Sequence, residues 1–179
     1  MECVMNNPAK PSNWNNRSNS SFSRSRVISS SAPKGSSKRM VADAGIGIIS
    51  LPHTNLFLQG RDMQTAMPRG LTAVKVLREA GAKVAAGSDN LQDPFNPIGR
   101  GDPLDAAGLM ILAAHLLPDD AFASVTSVAR AVIGVEPAGP RVGAKADLMV
   151  SPATSVREVI ATGAPRTLVV RGGRVVHRG

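Results

Sequence analysis

Hydrophobic residues fall into two regimes along the chain. Residues 1–39 hold isolated hydrophobes among Ser, Asn, Arg and Pro, with no period. Such a stretch buries too little apolar surface to offset its ordering entropy, so the pattern predicts a disordered tail. From Met40 the character changes. Residues 45–50 (GIGIIS) form a short apolar run of strand type. A loop through Pro52, Gly60 and Pro68 follows. Residues 71–80 (LTAVKVLREA) place Val74 and Leu77, with Ala73, Val76 and Ala80, at helical spacing, and Gly81 supplies a stop. Residues 83–86 (KVAA) read as a buried strand ended by Gly87, and residues 88–102 as a polar loop.

Two helices are expected next. Pro103 opens one over residues 104–116, since proline suits a first turn. Pro118 opens another over residues 119–133, with Asp119 and Asp120 favourable to its dipole. The remainder reads as short strands at 146–150, 167–171 and 174–177, with a helical turn at 155–161 and a hairpin turn at Gly172-Gly173. The expected order is β-loop-α-β-loop-α-α and then a small β-rich unit. This divides the chain into a tail (1–39), an α/β part (40–140) and a β-rich end (141–179).

The chain has 179 residues, enough for one domain with a core but short of the ~250 of a complete α/β barrel. Its net charge of +8 raises the question of a nucleic-acid partner. Residues 1–39 contain seven basic residues and one acid, so six of those charges lie in the tail and only two in the other 140 residues. The basicity belongs to the tail, and aromatics, at 3% with no tyrosine, are too few to interleave with it. Binding of nucleic acid or another anionic surface is thus a minor reading. The single cysteine, Cys3, excludes an internal disulfide or a CxxC metal site. No apolar run approaches a membrane span, and the tail lacks the apolar stretch of a secretory signal. A cytoplasmic protein is the expectation. The Arg- and Ser-rich, acid-poor tail also suits an organelle transit peptide, or a stretch foreign to the rest of the chain.

The most informative stretch is residues 85–95 (AAGSDNLQDPF), where an apolar strand runs straight into a carboxylate, Asp89. In βα folds catalytic groups sit at the carboxyl ends of strands, and an acid there is placed to bind a metal or take a proton. Asp and Asn are also common turn formers, so position alone leaves both roles open.

Residues 55–61 (NLFLQGR), 68–71 (PRGL) and 87–95 (GSDNLQDPF) resemble, in order and spacing, the seventh and eighth strand regions of bacterial cytosine deaminases. Residues 143–150 (GAKADLMV) and 170–176 (VRGGRVV) resemble the β-sandwich tail of the amidohydrolase superfamily. The resemblance covers roughly residues 40–179. It implies the C-terminal part of a (β/α)8 barrel plus part of the appended β-sandwich. It also implies a divalent metal, iron or zinc, and hydrolysis of a C–N bond in a small cyclic amine such as cytosine.

In such enzymes the aspartate after the eighth strand touches the metal and its hydroxide and shuttles protons, a position that matches Asp89. Phe95 falls where the family sets an aromatic against the substrate ring, or else packs under the loop as a core residue. Asn90 follows the acid where some relatives have a second acid, and is a substrate-binding candidate. Asn55 and Gln59 are placed to line the pocket mouth or to hold their loop. Asp93, beside Pro94, reads as a turn residue. The family's His-x-His pair is absent, and His53, His115 and His177 are far apart. A lone aspartate falls short of the three protein ligands a catalytic zinc usually needs. The expectation is therefore a fragment inactive alone, or a subunit completed by another chain, with self-association as a further possibility. Zinc deaminases of flipped bases need H-x-E and P-C-x-x-C, which one cysteine cannot supply.

Overall fold

The computed structural model describes residues 37–67 and 70–179. The expectations for residues 1–36 lie outside this range. The first element, α1 (Ser37–Asp43), starts three residues inside the stretch read as a tail. It leads into β1 (Ile48–Ser50), shorter than the run that predicts it. A helix, α2 (Pro52–Leu58), then stands where a loop was expected. Pro52 occupies its first turn, the same start signal that opens the later helices. The helix predicted over 71–80 is trimmed to α3 (Val74–Glu79), and β2 (Val84–Ala86) follows.

β1 and β2 pair in parallel, with Ile48 opposite Val84, Ile49 opposite Ala85 and Ser50 opposite Ala86. Strand side chains alternate between faces. Val84, Ala86 and Ile48 pack on the face covered by helices, in a core with Val74, Ala107, Met110 and Ala121. Ile49 points the other way and is 47% exposed.

That core is supplied largely by α4 (Pro103–Leu112), which Asp102 caps by accepting a hydrogen bond from the Leu104 N–H. The chain leaves this helix earlier than its apolar pattern suggests, and His115 takes a left-handed conformation, φ 53°. The single helix expected over 119–133 is two, α5 (Pro118–Val125) and α6 (Ser127–Val132). The break falls at Thr126, whose hydroxyl donates back to the Phe122 carbonyl at 2.7 Å. Such a back-bond competes with the helical ladder, while the apolar pattern runs on undisturbed.

The end of the chain forms an antiparallel sheet in the order β3 (Leu148–Val150), β4 (Leu168–Arg171), β5 (Arg174–Arg178). Gly172 and Gly173 both have positive φ, which the expected hairpin turn requires. Between β3 and β4 lies α7 (Val156–Thr162), capped by Ser155. Val159, Ala153 and Ala164 pack against Leu104, so this unit docks on the start of α4. The Arg166–Asp102 ion pair (2.5 Å) adds to that contact, and Arg130–Asp147 (3.1 Å) ties α6 to the residue just before β3. Among the described residues no helix is long and apolar enough to cross a membrane.

Candidate active site

The parallel register brings two loops to the same end of the strand pair. Pairing continues one step past the strands, through the Gly87 N–H to the Ser50 carbonyl at 2.9 Å. Leu51 alone separates β1 from α2, and Gly87-Ser88 alone separate β2 from Asp89. The first turn of α2 therefore stands beside Asp89, and Thr54 Oγ1 donates to Asp89 Oδ2 at 2.8 Å. Asp89 is exposed and adopts a left-handed backbone, φ 59°, a conformation that Asp tolerates better than most residues.

Beyond Asp89 the loop is held by its own polar groups. Asp93 is its hub: Oδ1 accepts from the Phe95 N–H (2.8 Å) and the Asn96 N–H (2.9 Å), and Oδ2 accepts from Asn90 Nδ2. The turn role expected of Asp93 is what the structure shows. Burial by itself would raise the Asp93 carboxyl, but these three donors hold it below its ordinary value. Asn96 is 2% exposed, and its amide donates to the Asn90 carbonyl at 2.6 Å. Gln92 bonds the Gly99 carbonyl at 3.2 Å. Arg100 forks onto both oxygens of Asp105, fastening the loop to α4.

Of the candidates read from sequence, Asp89, Asn90 and Phe95 lie in this one loop after β2. Phe95 is 52% exposed, so it is not a core residue. The Asn90 amide nitrogen is committed to Asp93. Thr54 and Asn96 were not singled out from sequence. Thr54 follows a strand end, as Asp89 does, and that was its available signal.

The three histidines do not converge on Asp89. His53 sits on α2 within electrostatic reach of Asp105 on α4, and burial lowers its pKa, partly offset by Asp105. Its Nδ1 is shut from solvent with no hydrogen-bond partner. His115 follows α4 and His177 lies in β5. Among the described residues no three His, Cys, Asp or Glu side chains gather in a way that could hold a metal ion. The described residues alone thus do not fit a metal centre. A hollow lined by Glu136, Pro137, Arg141, Val142 and Lys145 shares no residue with the Asp89 loop, and its walls are exposed or half-buried.

A parallel strand pair backed by helices, with an acid just past a strand end, is an arrangement common to βα folds. The chain belongs to the amidohydrolase family, whose model matches residues 5–177. It is similar to a pterin deaminase of Rhizobium rhizogenes, 36% identical over 143 residues, which covers 78% of this chain and 33% of that protein. An N-isopropylammelide isopropyl amidohydrolase of Pseudomonas sp. is 31% identical over 63% of this chain and 29% of its own length. In structure the chain resembles 5-methylcytosine deaminase from Klebsiella pneumoniae, solved with 5-fluorocytosine. The TM-score is 0.71 at 28% identity, over 79% of this chain and 36% of that one. The resemblance read from the sequence motifs is therefore right at the level of the superfamily and its deaminase-like members. The chain spans about a third of the length of these relatives.

Proposed function

We propose that the chain forms the last two βα units of an amidohydrolase (β/α)8 barrel with part of the appended β-sandwich, and contributes Asp89 to a site for hydrolytic deamination. One observation carries this reading: an exposed carboxylate, braced by Thr54, stands just past the end of a parallel strand in a chain related to deaminases. The reaction is hydrolysis of an exocyclic C–N bond in a small cyclic amidine, cytosine or a pterin-like ring. Water adds to the ring carbon bearing the amine, the amine takes up a proton and leaves as ammonia, and the ring keeps the oxygen. A carboxylate that accepts a proton from the water and passes it to the departing nitrogen serves both halves, a role typically worth about 10²–10⁴ in rate. Asp89 fills it. Phe95 offers an exposed ring to the face of the heterocycle, and Asn90 offers its side-chain oxygen while Asp93 holds its nitrogen.

The divalent metal of the family, iron or zinc, needs more ligands than the described residues offer, and a closed barrel needs more strands than the two of the parallel sheet. We therefore read the chain as a truncated enzyme, inactive alone. The alternative is a subunit of a split hydrolase, to which another chain would add strands beside the two-stranded parallel sheet. Co-expression with a polypeptide carrying the other strands and a His-x-His pair tests both. The expected result is metal-dependent ammonia release from cytosine or pterin by the pair and none by either part. Asp89→Asn should reduce the rate by about 10²-fold or more. Full activity of Asp89→Asn in the pair would overturn the assignment.

A further inference from the structure

We infer that Thr54 is a positioning residue for Asp89: its hydroxyl holds Oδ2 and fixes the carboxylate plane, leaving Oδ1 for chemistry. This rests on the reading of Asp89 as the active-site acid. The two residues are 35 apart in sequence and belong to different strand-end segments, so their 2.8 Å contact is not local turn chemistry. Threonine near a helix start ordinarily bonds nearby backbone. Thr54, third residue of α2, reaches across to the neighbouring loop instead.

An exposed aspartate left to itself samples several staggered χ1 wells. Asp89 is exposed, and its left-handed backbone sits outside the strand ladder that fixes Ala86. A charge-assisted bond from a fixed hydroxyl selects one well and one oxygen. The donor is held in turn: Pro52 is fully buried at the start of α2, and the Asn55 N–H donates to the Leu51 carbonyl at 3.1 Å. The catalytic end of β2 is thereby braced by the segment after β1, so the acid's orientation depends on the parallel pairing itself.

The test uses the full chain labelled with ¹³C and ¹⁵N, carrying Ile49→Thr throughout to keep the exposed strand face polar, with position 54 as wild type, Thr54→Val (same shape, no hydroxyl) and Thr54→Ser (hydroxyl kept). Three-bond couplings to Asp89 Cγ report its χ1 populations. Wild type and Thr54→Ser should each show one dominant rotamer. In Thr54→Val its preference should fall roughly fivefold, the effect of one modest hydrogen bond. A second measurement adds Mn²⁺ as a paramagnetic probe. Broadening of the Asp89 Cγ resonance should weaken by a similar factor in Thr54→Val, recover in Thr54→Ser and vanish as a site effect in Asp89→Asn. An unchanged single rotamer in Thr54→Val overturns the positioning role, and so does unchanged broadening where Mn²⁺ singles out Asp89 in the wild type. If Mn²⁺ fails to single out Asp89 in the wild type, the couplings alone decide what Thr54 does, and the reading of Asp89 as the active-site acid is decided separately by the activity of Asp89→Asn in the completed enzyme. Amide spectra matching outside residues 50–60 and 86–96 exclude misfolding as the cause.

Discussion

Asp102 joins two jobs at one atom, and they separate by substitution. Its Oδ1 accepts the Leu104 N–H at 3.0 Å, capping α4, and also Arg166 Nη2 at 2.5 Å, linking α4 to the segment after α7. The cap is worth about 1 kcal/mol against alanine, and asparagine caps about as well as aspartate. The ion pair is partly open to water, with side-chain exposures of 17% for Asp102 and 29% for Arg166, so it contributes roughly 0.5–1 kcal/mol. Asp102→Ala should therefore destabilise by about 1.5–2 kcal/mol and Asp102→Asn by about 0.5–1. With a urea m-value of about 1.5–2 kcal/mol/M, the midpoints drop by about 1 M and about 0.4 M respectively. Circular dichroism at one fixed protein concentration reads both, because association makes stability concentration-dependent. A double-mutant cycle with Arg166→Gln should return the ion-pair part alone. Acid adds a signature. Burial works to raise the Asp102 carboxyl, but the Arg166 and Leu104 hydrogen bonds and the charges of Arg166 and Arg100 outweigh it, so the pKa is lowered. The stabilisation is thus full above the ordinary value near 3.8 and is lost as pH falls through the lower folded value. Equal losses for alanine and asparagine, or zero coupling with Arg166, would refute the division.

His53 titrates below its ordinary value of 6.5 when folded, so its stabilising contribution is present above that pH and lost as pH falls through the folded pKa. Urea midpoints of wild type should decline over that interval, and those of His53→Gln should decline less. Gly99→Ala places a methyl 2.7 Å from Asn96 Nδ2, 2.9 Å from Leu91 and 3.1 Å from the Asn90 carbonyl. Asn96 is itself bonded to that carbonyl and cannot step aside, so a loss of about 1–2 kcal/mol and faster amide exchange at Phe95 and Asn96 are expected. His115 is exposed at φ 53°, so His115→Gly should raise stability by about 1 kcal/mol, seen as a higher urea midpoint.

Strand cores and turns were legible because their signals are local. The apolar runs at 45–50 and 83–86 contain β1 and β2, and Gly172-Gly173 marks the final hairpin. Helix ends were less so. The apolar pattern continues through Thr126, and nothing local announces that its hydroxyl turns back to Phe122. α2 was missed although Pro52 carried the signal that correctly placed the starts near Pro103 and Pro118. At the site, Asp89 was legible from its place after a strand and from the surrounding motif. Its contact with Thr54 was not, because it depends on which strand pairs with which and in what register.

That same pairing leaves work undone. Parallel strands in stable folds are normally covered on both faces, and two strands make a marginal sheet. Here Ala85 is 1% exposed while its register partner Ile49 is 47% exposed, on the face away from the helices. Leu91, Phe95 and Ile98, in the loop beyond β2, add exposed apolar surface. An isolated chain with this surface should associate at tens of micromolar. Ile49→Thr keeps the β-branched shape that suits a strand while making the open face polar, so it should shift sedimentation toward monomer. Val142, fully exposed at 108% and outside this sheet, is the control: Val142→Thr should leave sedimentation unchanged. A wild-type chain that sediments as a monodisperse monomer and unfolds cooperatively would mean that its open strands are satisfied internally. The reading of the chain as an incomplete barrel would then fail, whatever the standing of Asp89.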